Sequence, residues 1–478
     1  MIFDLRRRIS VLLVSVLVLL LLPGCYKTET IRQDTSINPE NIVDSTDILK
    51  KPVMEKIRVW SDNAHEKDLR LQQIEQFNST AGKQLGIEIE YTVYGSNYQE
   101  AIKAALQSGT APELFRPTSA LLKNFVDAGY MVPITELPGG DDLVEEYQES
   151  LMNNQHVFNG EVYTLPYNLT TYKLIINDDL FQKAGITKAP TTWKEVRETA
   201  QRITEIGEGK AFGWILGLQS DWMISTYLIR PNGTNVGHVG FNYRTMTFDF
   251  TAFRPVFEAV QGMIEDGSVF PGYEGLDADA VRAQFAEGRI GMIPGASFDI
   301  NVYNDQFPAS CNWSVVPVPA FTEEGSPYKE FADATSLLGV GIAAKQKAAK
   351  TLEVLKFFYS DENAAQMYEN SLYIPFRQEA LDLTDNEPGQ KGFAEFANIP
   401  DRVLMRPSPE NGVVVEGEEY RRTISNYFAG LYDGQEMIEV LEDLDNRYNN
   451  ALKQLTPKML TEYKLTDEVL NSYIGNQH

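Results

Sequence analysis

The sequence predicts an α/β fold in which parallel strands are joined by helical crossovers. From Lys56 to Phe115 the apolar spacing alternates between period two and helical spacing, giving strand, helix, strand, helix, strand. From Phe158 to Trp193 the chain reads as strand, strand, helix, turn, helix, with Gly and Pro at the joints. At 478 residues and 43% hydrophobic, the chain has material for two or three domains, which excludes a single small module.

In chain order, Met1 to Cys25 reads as a secretory leader. Arg6, Arg7 and Arg8 precede an apolar run from Ile9 to Leu22 that is too short for a comfortable membrane span, and Pro23-Gly24-Cys25 follows. Tyr26 to Lys51 is polar and without apolar periodicity, as a disordered spacer would be. Lys56 to Trp60 alternates as a strand, Ala64 to Phe77 has helical spacing, and Ile87, Ile89, Tyr91 and Val93 alternate as a second strand. Tyr98 to Leu106 is a helix with Gly109 placed to end it, and Glu113 to Phe115 is a short third strand. Three such strands in β-α-β-α-β order imply a parallel sheet with right-handed crossovers. Ligands in such sheets sit beyond the carboxyl ends of the strands, here Trp60-Ser61-Asp62, Gly95-Ser96-Asn97 and Phe115-Arg116-Pro117.

Asn159-Gly160 is a tight-turn dipeptide between β-rich runs, and Lys173 to Ile176 has the length of a buried strand. Asn177 or Asp178 caps a short helix that stops at Gly185, and Thr192 with Glu195 has the spacing of a capping box. Further on, Trp193 to Ile206 is a helix and Phe212 to Gly217 a strand; Phe253 to Ile264 and Ala278 to Ala286 are amphipathic helices. Val315 to Pro319 reads as a strand, Ala344 to Tyr359 and Glu362 to Glu369 as helices, and Tyr420 to Leu455 as a helical tail broken at Gly430 and Gly434.

The formal net charge is −25, and because the first 24 residues are net positive the remainder is more acidic still. Such a surface repels nucleic acid and anionic headgroups. The sequence holds two cysteines, Cys25 and Cys311, and the second, beside Trp313, reads as a small buried hydrophobe. Marks of an enzyme are missing: there is no Gly-x-Ser-x-Gly, Walker A or His-Glu-x-x-His, and His65, His156, His238 and His478 show no metal-ligand spacing. Gly339-Val340-Gly341 before Lys345 superficially suggests a phosphate loop, but its apolar surroundings read as a strand. Two carboxylates could flank a glycosidic bond, yet with 67 acidic residues no pair stands out.

The stretch from Phe158 to Trp193 resembles the signature of the extracellular solute-binding proteins of family 1, the carbohydrate-type receptors of ABC importers that include the maltodextrin-binding proteins. Looser likenesses extend from Ile57 to Leu455. Gly109-Thr110-Ala111-Pro112-Glu113 resembles a Gly-x-x-Pro-Asp motif with Glu for Asp, and Phe285, Gly288 and Met292 a Phe-x-x-Gly-x-x-x-Met segment. Pro375-Phe376-Arg377 is similar to a closing Pro-x-Arg. Leu22-Pro23-Gly24-Cys25 resembles a bacterial lipobox, with Pro23 a departure from the usual small residue.

The resemblance implies a two-lobe periplasmic-binding-protein-like fold of the class II type, each lobe a mainly parallel sheet flanked by helices. It implies a signal peptide at 1–24, a lipid-anchored linker at 25–51 with Cys25 acylated, one lobe of 52–170 and 337–380, and a second of 171–336 and 381–478. Residues around Asn168 to Lys173 become hinge, and Asp333 to Leu337 the return crossing. A sugar offers apolar C–H faces and a rim of hydroxyls, so a receptor wants flat rings for the faces and carboxylates, amides or Arg for the rim. The ring candidates are Trp60, Trp222 and Phe298, with core packing as the competing reading for each. The polar candidates are Asp62, Arg116, Asn168, Asp221, Asp333 and Tyr373, joined by Tyr420 and Arg421 in the tail; for these the competing reading is a cap or a solvated loop.

The function implied is a monomeric, non-catalytic lipoprotein on the outer side of a bacterial membrane that hands sugar to ABC permease subunits, with no cofactor, no metal and no nucleic acid. Competing readings are a same-fold receptor for a polyamine, a phosphate ester or ferric iron, a surface glycoside hydrolase, and a substrate-free adhesion or scaffold lipoprotein.

Overall fold

A computed structural model describes residues 54–475 except Ser96 and Pro400, so the expected leader, spacer and acylated Cys25 lie outside the described residues. Strand β1 (Glu55–Ser61) buries Ile57 and Val59 completely and leaves Lys56 exposed, the alternation of a half-covered strand. It pairs in parallel with β2 (Ile87–Val93) on one side and β3 (Leu114–Phe115) on the other. The helices Lys67–Ser79 and Tyr98–Ser108 make the crossovers, and Gly109 ends the second at φ 72°, a conformation that favours glycine.

Asn159 and Gly160 both take positive φ between β4 (Val157–Phe158) and β5 (Glu161–Val162), as a type I′ hairpin requires. Next come β6 (Thr164–Thr170) and β7 (Tyr172–Asn177), separated by Thr171 alone. They join different sheets. The Asn177 side chain caps the helix Asp178–Lys183, and Thr192 with Glu195 closes a capping box on Trp193–Gly207.

The second sheet has the order β12-β7-β11-β8 and contains β8 (Phe212–Trp214), β11 (Ile290–Ala296) and β12 (Trp313–Val316); β9 (Phe241–Asn242) and β10 (Thr247–Phe248) form a separate hairpin. Strand β13 (Glu330–Val340) returns to the first sheet, whose order is β14-β6-β13-β3-β1-β2 with β14 (Ile374–Pro375) at one edge. Strand β15 (Arg402–Leu404) pairs with the first residues of β13.

Parallel pairing is narrower than the sequence suggests: it holds for β1 with β2 and β3, β8 with β11, and β13 with β15. The chain leaves the first sheet along β6 and re-enters along β13, so these two run in opposite directions and pair antiparallel. Both sheets are therefore mixed. The strand from Phe212 stops at Trp214, and the one placed at Val315 to Pro319 lies at Trp313–Val316. Gly339 and Val340 belong to β13, so the apolar segment is a strand and not a phosphate loop.

Apolar clusters fill the space beneath each sheet. Ile57, Ile89, Leu165 and Phe358 belong to one under the first sheet, while Trp214, Phe257, Met292 and Leu441 belong to one under the second. Each fully buried side chain of this size contributes about 1.5–3 kcal/mol relative to exposure. The tail helices Tyr420–Phe428 and Met437–Ala451 pack on the second body, with the Tyr420 ring 4.9 Å from Phe250 and Tyr448 5.0 Å from Phe248. Among the described residues no helix is long and apolar enough to cross a membrane, and no cluster of His, Cys, Asp and Glu could hold a metal ion.

Candidate functional site

Two cavities of about 360 and 230 Å³ meet at Arg116 and Thr335, which line both. The lining comes from both sheets. Asn63, His65 and Arg116 follow β1 and β3, Ser297 and Phe298 follow β11, and Asn168 and Thr335 lie on β6 and β13. These are carboxyl ends of strands together with the segments that connect the sheets, where an open α/β sheet offers room for a ligand.

Arg116 is fixed from three sides. Its backbone N–H donates to Trp60 O at 2.9 Å, its carbonyl accepts from the Tyr98 hydroxyl at 2.7 Å, and its Nη1 lies 2.7 Å from Asp62 Oδ1. On β6 the Asn168 Oδ1 accepts from the Thr335 hydroxyl at 2.6 Å, which joins the two connecting strands across the floor. Tyr172, the first residue of β7, donates to Asp333 Oδ2 at 2.6 Å, and Arg230 Nη1 reaches the same oxygen at 2.5 Å. The Asp333 carboxylate holds the guanidinium of Arg230 above its ordinary range, and burial raises the Tyr172 phenol. This cluster joins β7, β13 and the segment after the π-helical turn Ile224–Ile229.

Tyr373 lies over a second charged cluster. Glu66 and Arg70 are fully buried 3.1 Å apart, and the Tyr373 hydroxyl donates to Glu66 while accepting from Asn63 Nδ2 at 3.1 Å. Burial alone would raise the Glu66 carboxyl, but Arg70 and the Tyr373 hydroxyl hold it below its usual range. Arg70 also donates to the Tyr167 hydroxyl at 3.3 Å, so the pair ties the helix Lys67–Ser79 to β6. Burial lowers the His65 imidazole beside the smaller cavity.

Of the sequence candidates, Arg116, Asp333 and Tyr420 line the larger cavity, and Arg116, Asn168, Phe298 and Tyr373 line the smaller. Asp62 acts one step back, on Arg116. Trp60, Asp221, Trp222 and Arg421 line neither cavity. Trp60 packs at 4.8 Å from Tyr94. The Arg282 guanidinium lies 5.7 Å from the Trp222 ring and 5.9 Å from Phe298, a cation–π arrangement that seats both rings near each other. Phe298 is 39% exposed and presents open ring surface. Arg421 bonds Glu419 at 2.7 Å.

Sequence reasoning missed Asn63, Arg230, Arg406 and Glu410. Arg230 had a signal, a lone cation closing the uncharged run Met223–Ile229. Arg406 and Glu410 had none, because a segment without periodicity delivers them. Burial pushes the Glu410 carboxyl above its usual range against the pull of Arg421 and Arg230.

The arrangement offers guanidinium, carboxylate, amide and hydroxyl groups with one open ring face. Residues 67–365 match the family described as bacterial extracellular solute-binding protein. A putative binding protein of Brucella abortus (strain 2308) is 23% identical over 363 residues, covering 73% of this chain and 82% of that protein. The sn-glycerol-3-phosphate-binding periplasmic protein UgpB of Rhizobium meliloti (strain 1021) is 24% identical over 378 residues, covering 75% and 85%. Among solved structures, the GacH receptor of Streptomyces glaucescens, described unliganded and in complex with acarbose, superposes with a TM-score of 0.64 at 20% identity, covering 84% of this chain and 100% of that one. The maltose/maltodextrin-binding domain MalE of Bdellovibrio bacteriovorus, bound to maltotriose, gives 0.61 at 16% identity with 84% and 100% covered. The shared fold is that of two-lobe solute-binding proteins.

Proposed function

The chain belongs to the bacterial extracellular solute-binding proteins, and from that premise we propose that it captures a sugar or short oligosaccharide between two lobes and delivers it to an ABC permease. The observation that carries the proposal is the pair of cavities meeting at Arg116 and Thr335, lined from both sheets, with the open Phe298 ring on one wall and amides and hydroxyls around it. A ring face suits the C–H face of a pyranose, and the amides and guanidinium suit its hydroxyls. Acarbose and maltotriose, named with two structures of the same fold, are ligands of that kind.

The lobes are residues 52–170 with 337–380 and 171–336 with 381–478, with the hinge at Thr171 between β6 and β7 and in β13. Capture involves no catalysis, and ligand favours the closed arrangement only through contacts with both lobes. The protein works as a monomer outside the cytoplasm, tethered through Cys25. A second reading, a receptor for a polyol phosphate, is favoured by the relatives named sn-glycerol-3-phosphate-binding.

A thermal-shift screen of mono-, di- and oligosaccharides, with phosphate esters and polyamines as controls, tests the proposal. A sugar that binds only the native state adds about 2.7 kcal/mol at a hundredfold excess over Kd and raises the midpoint accordingly. A shift with a control ligand and with no sugar would overturn the substrate class while leaving the receptor fold in place.

A further inference from the structure

The larger cavity gathers three guanidinium groups, Arg116, Arg230 and Arg406. Two are matched within the protein, Arg116 by Asp62 at 2.7 Å and Arg230 by Asp333 at 2.5 Å. Arg406 forms no ion pair among the described residues, and its Nε is buried without a hydrogen-bond partner. A guanidinium on a cavity wall with no carboxylate partner is free to take its anion from the ligand.

The one other carboxyl group in the lining does not compensate it. Glu410 lies 3.9 Å from Arg421 and forms no ion pair with Arg406, and burial pushes its carboxyl toward the neutral form. Tyr473, on which Arg406 acts through a side-chain hydrogen bond as well as its charge, and His156, which feels that charge, supply no negative charge. The lining of this cavity holds three guanidinium groups against two carboxyl groups, Asp333 and Glu410, and of the three only Arg406 lacks an ion pair among the described residues. The smaller cavity differs: its one guanidinium, Arg116, is paired with Asp62, and the rest of its wall includes the Phe298 ring, the amides of Asn63 and Asn168, and the Ser297 and Thr335 hydroxyls. Together the two volumes fall inside the range of about 300–1,000 Å³ usual for small-molecule sites.

We propose that the solute has two parts, a neutral sugar unit in the smaller cavity and an anionic unit, a carboxylate or a phosphomonoester, held against Arg406 in the larger. The guanidinium fork matches the oxygens of either group, and such charge-assisted bonds are roughly twice as strong as neutral ones. This inference rests on the sugar-receptor function proposed above. It adds that an acidic sugar is preferred over its neutral parent, and that Arg406 reads the difference.

Calorimetric titration of the full chain tests it with maltose, cellobiose, the uronic acid and phosphomonoester forms of each, and sn-glycerol 3-phosphate. The expected result is that an acidic form binds about tenfold or more tightly than its neutral parent. Arg406→Gln should erase that ratio, and Arg406→Lys, which keeps the charge without the fork, should retain part of it. Whether the uronic acid or the phosphate form gains more identifies the anion.

Neutral parents that bind as tightly as their acidic forms would overturn the inference and leave the sugar receptor standing. Binding of glycerol 3-phosphate alone, lost in Arg406→Gln, would overturn the sugar reading and keep the anion at Arg406. Silence from every probe overturns both. Should Arg406→Gln fail to fold, the wild-type ratio of acidic to neutral affinity decides by itself.

Discussion

His156 is a buried base that the fold keeps neutral. Its Nδ1 accepts from the Met152 N–H at 3.1 Å, its Nε2 finds no partner, and burial first, then the Arg406 charge, pushes its pKa down to about 3 from 6.5. The unfolded chain therefore binds a proton that the folded chain refuses. Stability from this residue is fully present above pH 6.5 and is lost as pH falls through the interval toward 3, at about 1.4 kcal/mol per pH unit. Glu66, held below its usual range, adds a loss of the same sign at lower pH. Urea midpoints at a series of pH values should fall between pH 6.5 and 4, and His156→Asn, which retains an acceptor but not the basic ring, should flatten that slope. An equal slope in the variant would assign the acid sensitivity elsewhere. None of this was legible in the sequence, where His156 was one of four scattered histidines. Part of its shift comes from the charge of Arg406, which lies far away along the chain.

Elements whose signals are local were legible. The alternation of Ile57 and Val59 and of Ile87 and Ile89, the Asn177 cap and the Thr192–Glu195 box each sit within a few residues, and each reappears in the structure. The sequence marks Asp333 to Leu337 as a return crossing and the surroundings of Gly339-Val340-Gly341 as a strand; the structure makes one strand of Glu330–Val340, because its ends are held by partners distant in sequence, Arg402–Leu404 at one end and Leu114–Phe115 at the other. The site divides the same way. Arg116 follows the short strand that the spacing marks and Phe298 comes from the family resemblance, whereas Arg406 and Glu410 follow β15, a three-residue strand that no pattern marks. Contact between the helix Trp193–Gly207 and β8 depends on Gly213, where an added Cβ would stand 2.1 Å from Ala200 Cα. That atom, with Ala200 O at 2.2 Å and C at 2.5 Å, is helix backbone that cannot yield without moving the helix. Gly213→Ala should cost about 1–3 kcal/mol, the usual range for overpacking, with a lowered Tm on thermal unfolding. An unchanged Tm would show that helix and sheet part without penalty.

At the scale of the whole molecule, two mixed sheets are joined by β6 and β7 with Thr171 alone between them, and by β13. The cavities lie where these connections pass. Polar bonds across the connections, Asn168 to Thr335 and Tyr172 to Asp333 with Arg230, make the floor of the site and the link between the sheets one structure. Solute bound there should depend on both sides at once. The most direct test is calorimetric titration of the sugar identified by the screen into wild type, Arg116→Ala on the first sheet's side and Phe298→Ala on the second's. Each variant should bind about tenfold or more weakly, equivalent to about 1.4 kcal/mol or more, with its Tm in the absence of ligand near that of wild type. Wild-type affinity in either variant would contradict a solute held between the two lobes.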